Sequence, residues 1–362
     1  MISEEIRKSL IIFIASGALS FVSAPLFSRL LLPVAHKIGA IDRAKDDRRM
    51  HKEPVARIGG VAIFAAFALG AWAFLSFCAP LFSESTKSTA AALICGGLII
   101  VVGGLADDIY TLSPAQKMFY QVLAALVVFL FGARAPLPDL LRRALPSFFQ
   151  SAAQIFFTIF WCVLITNSFN LIDGLDGLCA SSAAFCILAL FAMSGGEELT
   201  AIYLLSALLG FLPLNLRPAK LFLGDAGAML LGLSLATLSL KALEESPSFN
   251  SYLAVLTVFA IPLFDTVFAA ARRILNGKSP FSPDRKHLHH RLVDAGISHA
   301  RASLFLSLLT GGFCALGTLV YILGFSAVAI ISLVLLIFPT ASVIIMTVKK
   351  EPKKENRKNE KG

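Results

Sequence analysis

An all-α polytopic membrane protein is the fold class this sequence predicts, and three observations predict it. The 362-residue chain is 57% hydrophobic, with a mean hydropathy of +0.77. A soluble domain has roughly 45–50% apolar residues. The apolar runs reach about 20 residues, the length an α-helix needs to cross a hydrocarbon core roughly 30 Å thick. In lipid the backbone must satisfy its own hydrogen bonds, so such runs form helices rather than open strands. Finally, Lys and Arg gather on alternate connections, as they do when loops face opposite sides of a membrane.

About eleven transmembrane helices follow, at residues 8–32, 58–79, 89–106, 115–133, 151–168, 177–194, 199–214, 226–242, 251–273, 302–324 and 326–348. The first begins after MISEEIRKSL, which mixes acids with Arg7 and Lys8, and its run is too long for a cleavable signal. It reads as a retained helix. Gly59-Gly60 opens the second, and Asp107-Asp108 closes the third. Ser113-Pro114-Ala115-Gln116 reads as an N-cap, a Pro at N1 and a capping-box Gln, so the fourth begins there. The fifth and sixth flank "NSFNLIDGLDGL", residues 167–178. Gly224-Asp225 opens the eighth, with Asp225 as the expected N-cap, and the ninth carries Asp265 inside its apolar run. A short Gly-Phe-Ser turn separates the last two. Residues 1–348 form one transmembrane domain. The basic tail 349–362 is too polar to pack and is expected to be disordered.

Charge sets the expected orientation. The segments 33–57, 107–117, 215–225, 272–301 and the tail, with Arg29, hold about 25 of the 32 Lys and Arg residues. These segments are expected in the cytoplasm, with the N-terminus outside and the C-terminus inside. The net charge of +9 is then a property of the cytoplasmic face, suited to anionic lipid and not to nucleic acid. The six cysteines lie in or beside apolar runs without CxxC spacing, and read as small buried side chains.

The chemically capable residues share these cytoplasmic segments. His51 and Arg57 precede Gly59-Gly60, beside a Pro and a Gly pair that fix the backbone; Lys52 beside them reads as positive-inside decoration. Asp107 and Asp108 are adjacent acids at a bilayer edge, with Lys117 in the first turn of the next helix. Two carboxylates suit Mg²⁺, which takes one or two of them with waters and substrate phosphates. Asn167, Asn170, Asp173 and Asp176 crowd one turn, each Asp followed by Gly; capping of the next helix explains Asp176 alone but not the set. Asp225 lies where a helix N-terminus offers N–H groups to phosphate. His287, His289, His290 and Arg291 form a basic cluster. Without Cys partners or HExxH spacing, an anionic ligand suits those imidazoles better than zinc. Asp265, within a span, calls for a partner or a function. Acids, amides and cations on one face suit phosphoryl transfer. A secondary transporter would instead place ionisable groups at mid-membrane in repeated halves, and no repeat is visible.

The ordered set "HKEPVARIGG", "DDIYTLSPAQK", "NSFNLIDGLDGL", "LFLGDAGA" and "PLFDTVFAAARR…SPDRKHLHHRL" resembles the polyprenyl-phosphate N-acetylhexosamine-1-phosphate transferases, over roughly residues 47–292. The resemblance implies a cytoplasmic-face active site in a bacterial inner membrane. It implies Mg²⁺, or Mn²⁺ in its place, and transfer of a sugar 1-phosphate from a UDP-N-acetylhexosamine to undecaprenyl phosphate, releasing UMP. "HLHHRL" looks like the branch that uses UDP-N-acetylglucosamine to start cell-surface polysaccharides such as lipopolysaccharide O-antigen. The muramoyl-pentapeptide branch usually shows three consecutive histidines, which Leu288 interrupts. Ala56 and "GDAGA" are small departures from the family pattern that keep the acid.

By resemblance, Asn170 and Asp225 coordinate the metal. Asp107 and Asp108 orient the lipid phosphate or take its proton, and are further metal candidates; Lys117 neutralises phosphate charge. Asp173 and Asp176 hold the uridine or sugar side, and His289, His290 and Arg291 grip phosphate or sugar. His51, Arg57, Asn167 and His287 complete the expected substrate contacts, and a homodimer is compatible with the sequence.

Overall fold

Ser113 accepts from the Gln116 N–H and Gln116 reaches back to the Ser113 N–H, with Pro114 at the first helical position, so a helix begins where the sequence marks one. The same agreement recurs along the computed structural model of the chain. It describes residues 4–42, 54–78, 83–196, 198–277, 279 and 287–324, together with 327, 330, 331, 333 and 334. His51, Lys52, most of the span expected at 326–348 and the tail lie outside the described residues.

Among the described residues there are thirteen helices and one two-stranded sheet. In order they are α1 (Glu4–Ile38), β1 (Ile41–Asp42), β2 (Val55–Ala56), α2 (Gly59–Cys78), α3 (Glu84–Tyr110), α4 (Pro114–Leu130), α5 (Asp139–Ala144), α6 (Ser147–Ile172), α7 (Leu178–Met193), α8 (Thr200–Asn215), α9 (Gly224–Glu245), α10 (Phe249–Val258), α11 (Ala260–Leu275), α12 (Leu288–Asp294) and α13 (His299–Leu323). Helices α1, α2, α3, α6, α9 and α13 are each long and apolar enough to cross a membrane, and α4, α7 and α8 are shorter apolar helices.

The ninth expected span differs most from expectation. It is two helices, α10 and α11, meeting at Phe259 with a 79° bend. α11 also ends in Arg272 and Arg273, which are buried, while Val267, Ile274 and Leu275 are exposed. Hydropathy alone registers the combined length of the pair and not the break.

α9 is the axis of the bundle. Some 94% of its apolar window is buried inside the protein, against 22% for α1. It packs on α2, α3, α6 and α7, and small residues make that possible. A Cβ on Gly104 of α3 would overlap the backbone of Asp225 and Ala226, and one on Gly227 would lie 2.9 Å from the Gly60 Cα. Such close crossings are the usual way helices associate where lipid removes the hydrophobic drive. They also place the ends of α2 and α3 against the first turn of α9. Gly104→Val should therefore force these helices apart, costing about 1–3 kcal/mol. A thermal melt in detergent would show a lowered midpoint; a wild-type melt would mean that the crossing yields without cost.

Short hydrogen-bonded segments join the helix ends. β1 pairs antiparallel with β2, and Arg57 N–H donates to the Ala40 carbonyl at 2.9 Å. Phe222 N–H donates to Ala56 O at 2.9 Å, and Gly60 N–H to Leu223 O at 2.9 Å. The α8–α9 connection is thereby laid along the entry to α2, which brings Arg57 beside Gly224.

Candidate active site

One end of the bundle collects the last turns of α3 and α6, the first turns of α4, α7 and α9, and α12. Asp107 belongs to the last turn of α3. Its Oδ1 accepts from Leu112 N–H at 2.6 Å and its Oδ2 lies 2.5 Å from Lys117 Nζ. The α3–α4 turn is thus held by the carboxylate that also faces the lysine. Lys117 Nζ lies 2.5 Å from Asp225 Oδ2 as well, so a single ammonium is shared between α3 and α9. Asp225 additionally accepts a hydrogen bond from Asn170 at the end of α6.

Asp108 does something the sequence did not indicate. Its side chain is fully buried, and it accepts from Asp225 N–H at 3.1 Å and Ala226 N–H at 3.2 Å. Those are free N–H groups of the first turn of α9, so Asp108 caps that helix from outside. The expected N-cap, Asp225, lies one residue into the helix instead, and Leu223 holds the cap position with no side-chain bond. Gly224 permits this because its φ is +74° and a Cβ there would meet Asp108 Oδ2 at 2.7 Å. A capping side chain stabilises by about 1 kcal/mol; here it also aims the Asp225 side chain.

Arg57 lies across this carboxylate group. Its guanidinium is 3.0 Å from Asp42 Oδ1 and 3.9 Å from Asp108 Oδ1. Asp42 was not among the sequence candidates, because a single acid after the first span carries no motif. Asp173, just past α6, completes the group. Burial first, then the neighbouring Asp225 and Asp108, pushes its carboxyl up to about 8.

Asp176 does not cap α7, whose N-cap is Gly177. It accepts instead from Ala219 N–H at 3.2 Å, and its backbone carbonyl accepts from Ser303 Oγ at 2.9 Å. The turn is therefore pinned to the α8–α9 connection and to α13. Asn167 is also committed: it exchanges hydrogen bonds with Gln121 of α4 at 2.8 and 3.2 Å, and donates to Val163 O at 2.8 Å. Gln121 was missed, although it lies one turn beyond Lys117 on the same helical face. The amide pair fixes α4 against α6, and so Lys117 against Asn170.

The histidines form a second group against the same turn. The His287 and His289 rings stack at 5.9 Å, and His289 lies 4.2 Å from His290. The His289 ring rests on Gly174, where a Cβ would collide with it. Burial, then His290, pushes His289 down to about 4, so it is a neutral imidazole at physiological pH rather than a cation. Its Nε2 is buried and has no hydrogen-bond partner among the described residues. Arg217, Asp176 and His290 each lie within electrostatic reach of His299. Arg217 and His299 were outside the sequence candidates, since neither belongs to a recognisable cluster. Arg291 follows in the same short helix, α12.

Of the expected site residues, Asp107, Lys117, Asn170, Asp225, Asp108, Asp173 and Arg57 are thus brought together. Asp176 and the α12 residues adjoin them, and Asn167 supports them from behind.

Known proteins are similar to this chain in sequence. The profile of glycosyl transferase family 4 matches residues 90–243. The chain is 35% identical over 318 residues to the probable undecaprenyl-phosphate N-acetylglucosaminyl 1-phosphate transferase of Bacillus subtilis, covering 85% of this chain and 84% of the relative. It is 34% identical over 305 residues to the decaprenyl-phosphate N-acetylglucosaminephosphotransferase of Mycolicibacterium smegmatis, covering 77% and 74%. To the undecaprenyl-phosphate alpha-N-acetylglucosaminyl 1-phosphate transferase of Escherichia coli K12 it is 28% identical over 314 residues, covering 83% and 81%. With a helical bundle that gathers its acids, amides and cations at one end, and relatives aligned along most of its length, the chain belongs to glycosyl transferase family 4 and is a phosphoglycosyltransferase.

Proposed function

We propose that this protein transfers N-acetylglucosamine 1-phosphate from UDP-N-acetylglucosamine to undecaprenyl phosphate, releasing UMP, as the first membrane step of a cell-surface polysaccharide. The observation that carries this reading is the single Lys117 ammonium shared between Asp107 and Asp225, in a group of carboxylates at a bundle end. The names of the relatives supply the lipid phosphate and the sugar.

The donor set fits a divalent cation. Lys117 holds oxygens of two carboxylates from different helices, with Asn170 on one of them. Among the described residues no three acidic, His or Cys side chains form a ready metal cage. Mg²⁺ does not need one, since it keeps several waters and takes its other oxygens from substrate phosphates. Asn170 and Asp225 would hold it, with Asp107 beside them, and Mn²⁺ could replace it. When bound, the ion would supply Lewis-acid stabilisation of charge on the diphosphate.

The chain's own residues do the rest. A lipid phosphate oxygen attacks the β-phosphorus of the donor; the bond to the bridging oxygen breaks, and UMP leaves with that electron pair. Lys117 neutralises charge on the transferring group. Asp108 aims Asp225, and Arg57, braced by Asp42, offers a guanidinium to phosphate oxygens. His290, Arg291 and Arg217 line the adjoining side, where the nucleotide or sugar would rest. The site end reads as cytoplasmic because Arg57, Arg217, Lys220, Arg291 and Arg301 flank it. The shorter α4, α7 and α8 read as further spans, each about 25 Å long.

Purified protein should release UMP only when UDP-N-acetylglucosamine, undecaprenyl phosphate and a divalent cation are all present. Chelation should stop release, and Mg²⁺ or Mn²⁺ should restore it. Absence of release with every UDP-sugar in a donor panel would sink the reading. Preference for UDP-N-acetylmuramoyl-pentapeptide would keep the reaction and change the donor.

A further inference from the structure

Asp265 is an acid in the apolar part of α11, and its side chain is only 8% exposed. A carboxylate in such a place is costly unless it is paired. Among the described residues it has two partners, both at the start of α12. Oδ2 lies 2.9 Å from His287 Nδ1, and Oδ1 accepts from the Leu288 N–H at 2.9 Å. His287 occupies the N-cap position of α12 but makes no cap bond with its own side chain. Asp265 supplies that bond from the neighbouring helix. The two oxygens together fix where α12 begins and which way the His287 ring faces.

The consequence runs through the rings. His287, only 5% exposed along its side chain, stacks on His289 at an interplanar angle of 5°. His289 in turn meets His290 and lies on Gly174, in the turn that carries Asp173 and Asp176. α11 itself is aimed here by the 79° bend at Phe259.

We propose that Asp265 is a positioning residue for the donor side of the site: it orients His287, fixes its Nδ1–H tautomer, and so registers the three-imidazole cluster against the Gly174 turn. This rests on the reaction proposed above. An ionised carboxylate accepts from Nδ1–H and leaves Nε2 as the lone-pair nitrogen of the neutral ring. Asp265 touches no reacting atom in this scheme; it acts through His287.

Asp265→Asn separates positioning from mere packing because it is nearly isosteric. Its amide oxygen can still cap Leu288, but its NH₂ faces His287 Nδ1 and forces the proton to Nε2. Loss of one charge-assisted hydrogen bond is expected to raise the KM for UDP-N-acetylglucosamine about tenfold. The KM for undecaprenyl phosphate should stay within about twofold, because the lipid phosphate meets Asp107 and Lys117 and not α12. In a His287→Gln background, Asp265→Asn should add less than about twofold, since one pathway has already been cut.

An exchange measurement reads the same contact without turnover. Asp265→Ala should speed amide hydrogen exchange over residues 288–294, and Asp265→Asn should do so much less. Wild-type donor KM in Asp265→Asn, equal rises in both KM values, or additivity with His287→Gln would each overturn the inference while the reaction stands. Absence of wild-type turnover would remove the reaction instead. In that event, unchanged exchange in Asp265→Ala would overturn the hold on α12, and faster exchange would support it.

Discussion

Asp225→Asn is expected to lower turnover by about 10³-fold while the protein still inserts and melts close to the wild type. Asparagine keeps the shape of the side chain and removes its charge. Lys117 then faces one carboxylate in place of two, and the Asn170–Asp225 pair can no longer hold a divalent cation through an anionic oxygen. The structural cost is small by comparison. A negative charge in the first turn of a helix is worth about 0.3–1 kcal/mol, and Asp108 still caps α9 through the Asp225 and Ala226 amides. A thousandfold loss of rate is about 4 kcal/mol of barrier. Activity should therefore collapse well before the fold does. UMP release and a detergent melt, measured on the same preparation, check both halves; wild-type turnover would remove Asp225 from the site.

The sequence carried the existence of most helices because apolar length is a local property. Ser113-Pro114 and Gly59-Gly60 marked helix starts for the same reason: a cap or a tight approach is written in neighbouring residues. The bend at Phe259 was not legible, since two apolar helices in tandem have the same hydropathy as one. The acids could be chosen from the sequence as a group, but not apportioned. Asp107 and Asp108 are adjacent in the chain and point to different work, one to Lys117 and one to the N–H groups of α9. That division depends on Gly104 letting α3 approach Ala226, a contact more than a hundred residues away along the chain. Arg57 was visible because Gly59-Gly60 follows it; its brace, Asp42, was not. Asp265 was visible as an anomaly, yet its partners lie 22 and 23 residues further on and only the fold brings them together.

Lys117→Met should also cost about 10³-fold in turnover, yet its effect on cation binding should be opposite to that of Asp225→Asn. The lysine both serves the phosphates and competes for Asp107 and Asp225, the oxygens a divalent ion would use. Without it two carboxylates from α3 and α9 face each other with no ammonium between them. Their repulsion destabilises the cation-free protein, and a bound divalent ion relieves it. Partial solvent access keeps this term at about 1 kcal/mol, which is a several-fold change in affinity. Mn²⁺ titrated into Lys117→Met should therefore bind as tightly as in the wild type or more so, whereas Asp225→Asn should bind it weakly. The melting temperature of Lys117→Met should rise more steeply with Mg²⁺ concentration than that of the wild type, because a ligand that binds only the folded state stabilises it by mass action. Loss of Mn²⁺ binding in Lys117→Met, to the level of Asp225→Asn, would show that the ammonium organises the two carboxylates and that they do not hold a cation on their own. The two variants thus divide one observed geometry, a single ammonium between two acids, into the part that binds the ion and the part that meets the transferring phosphate.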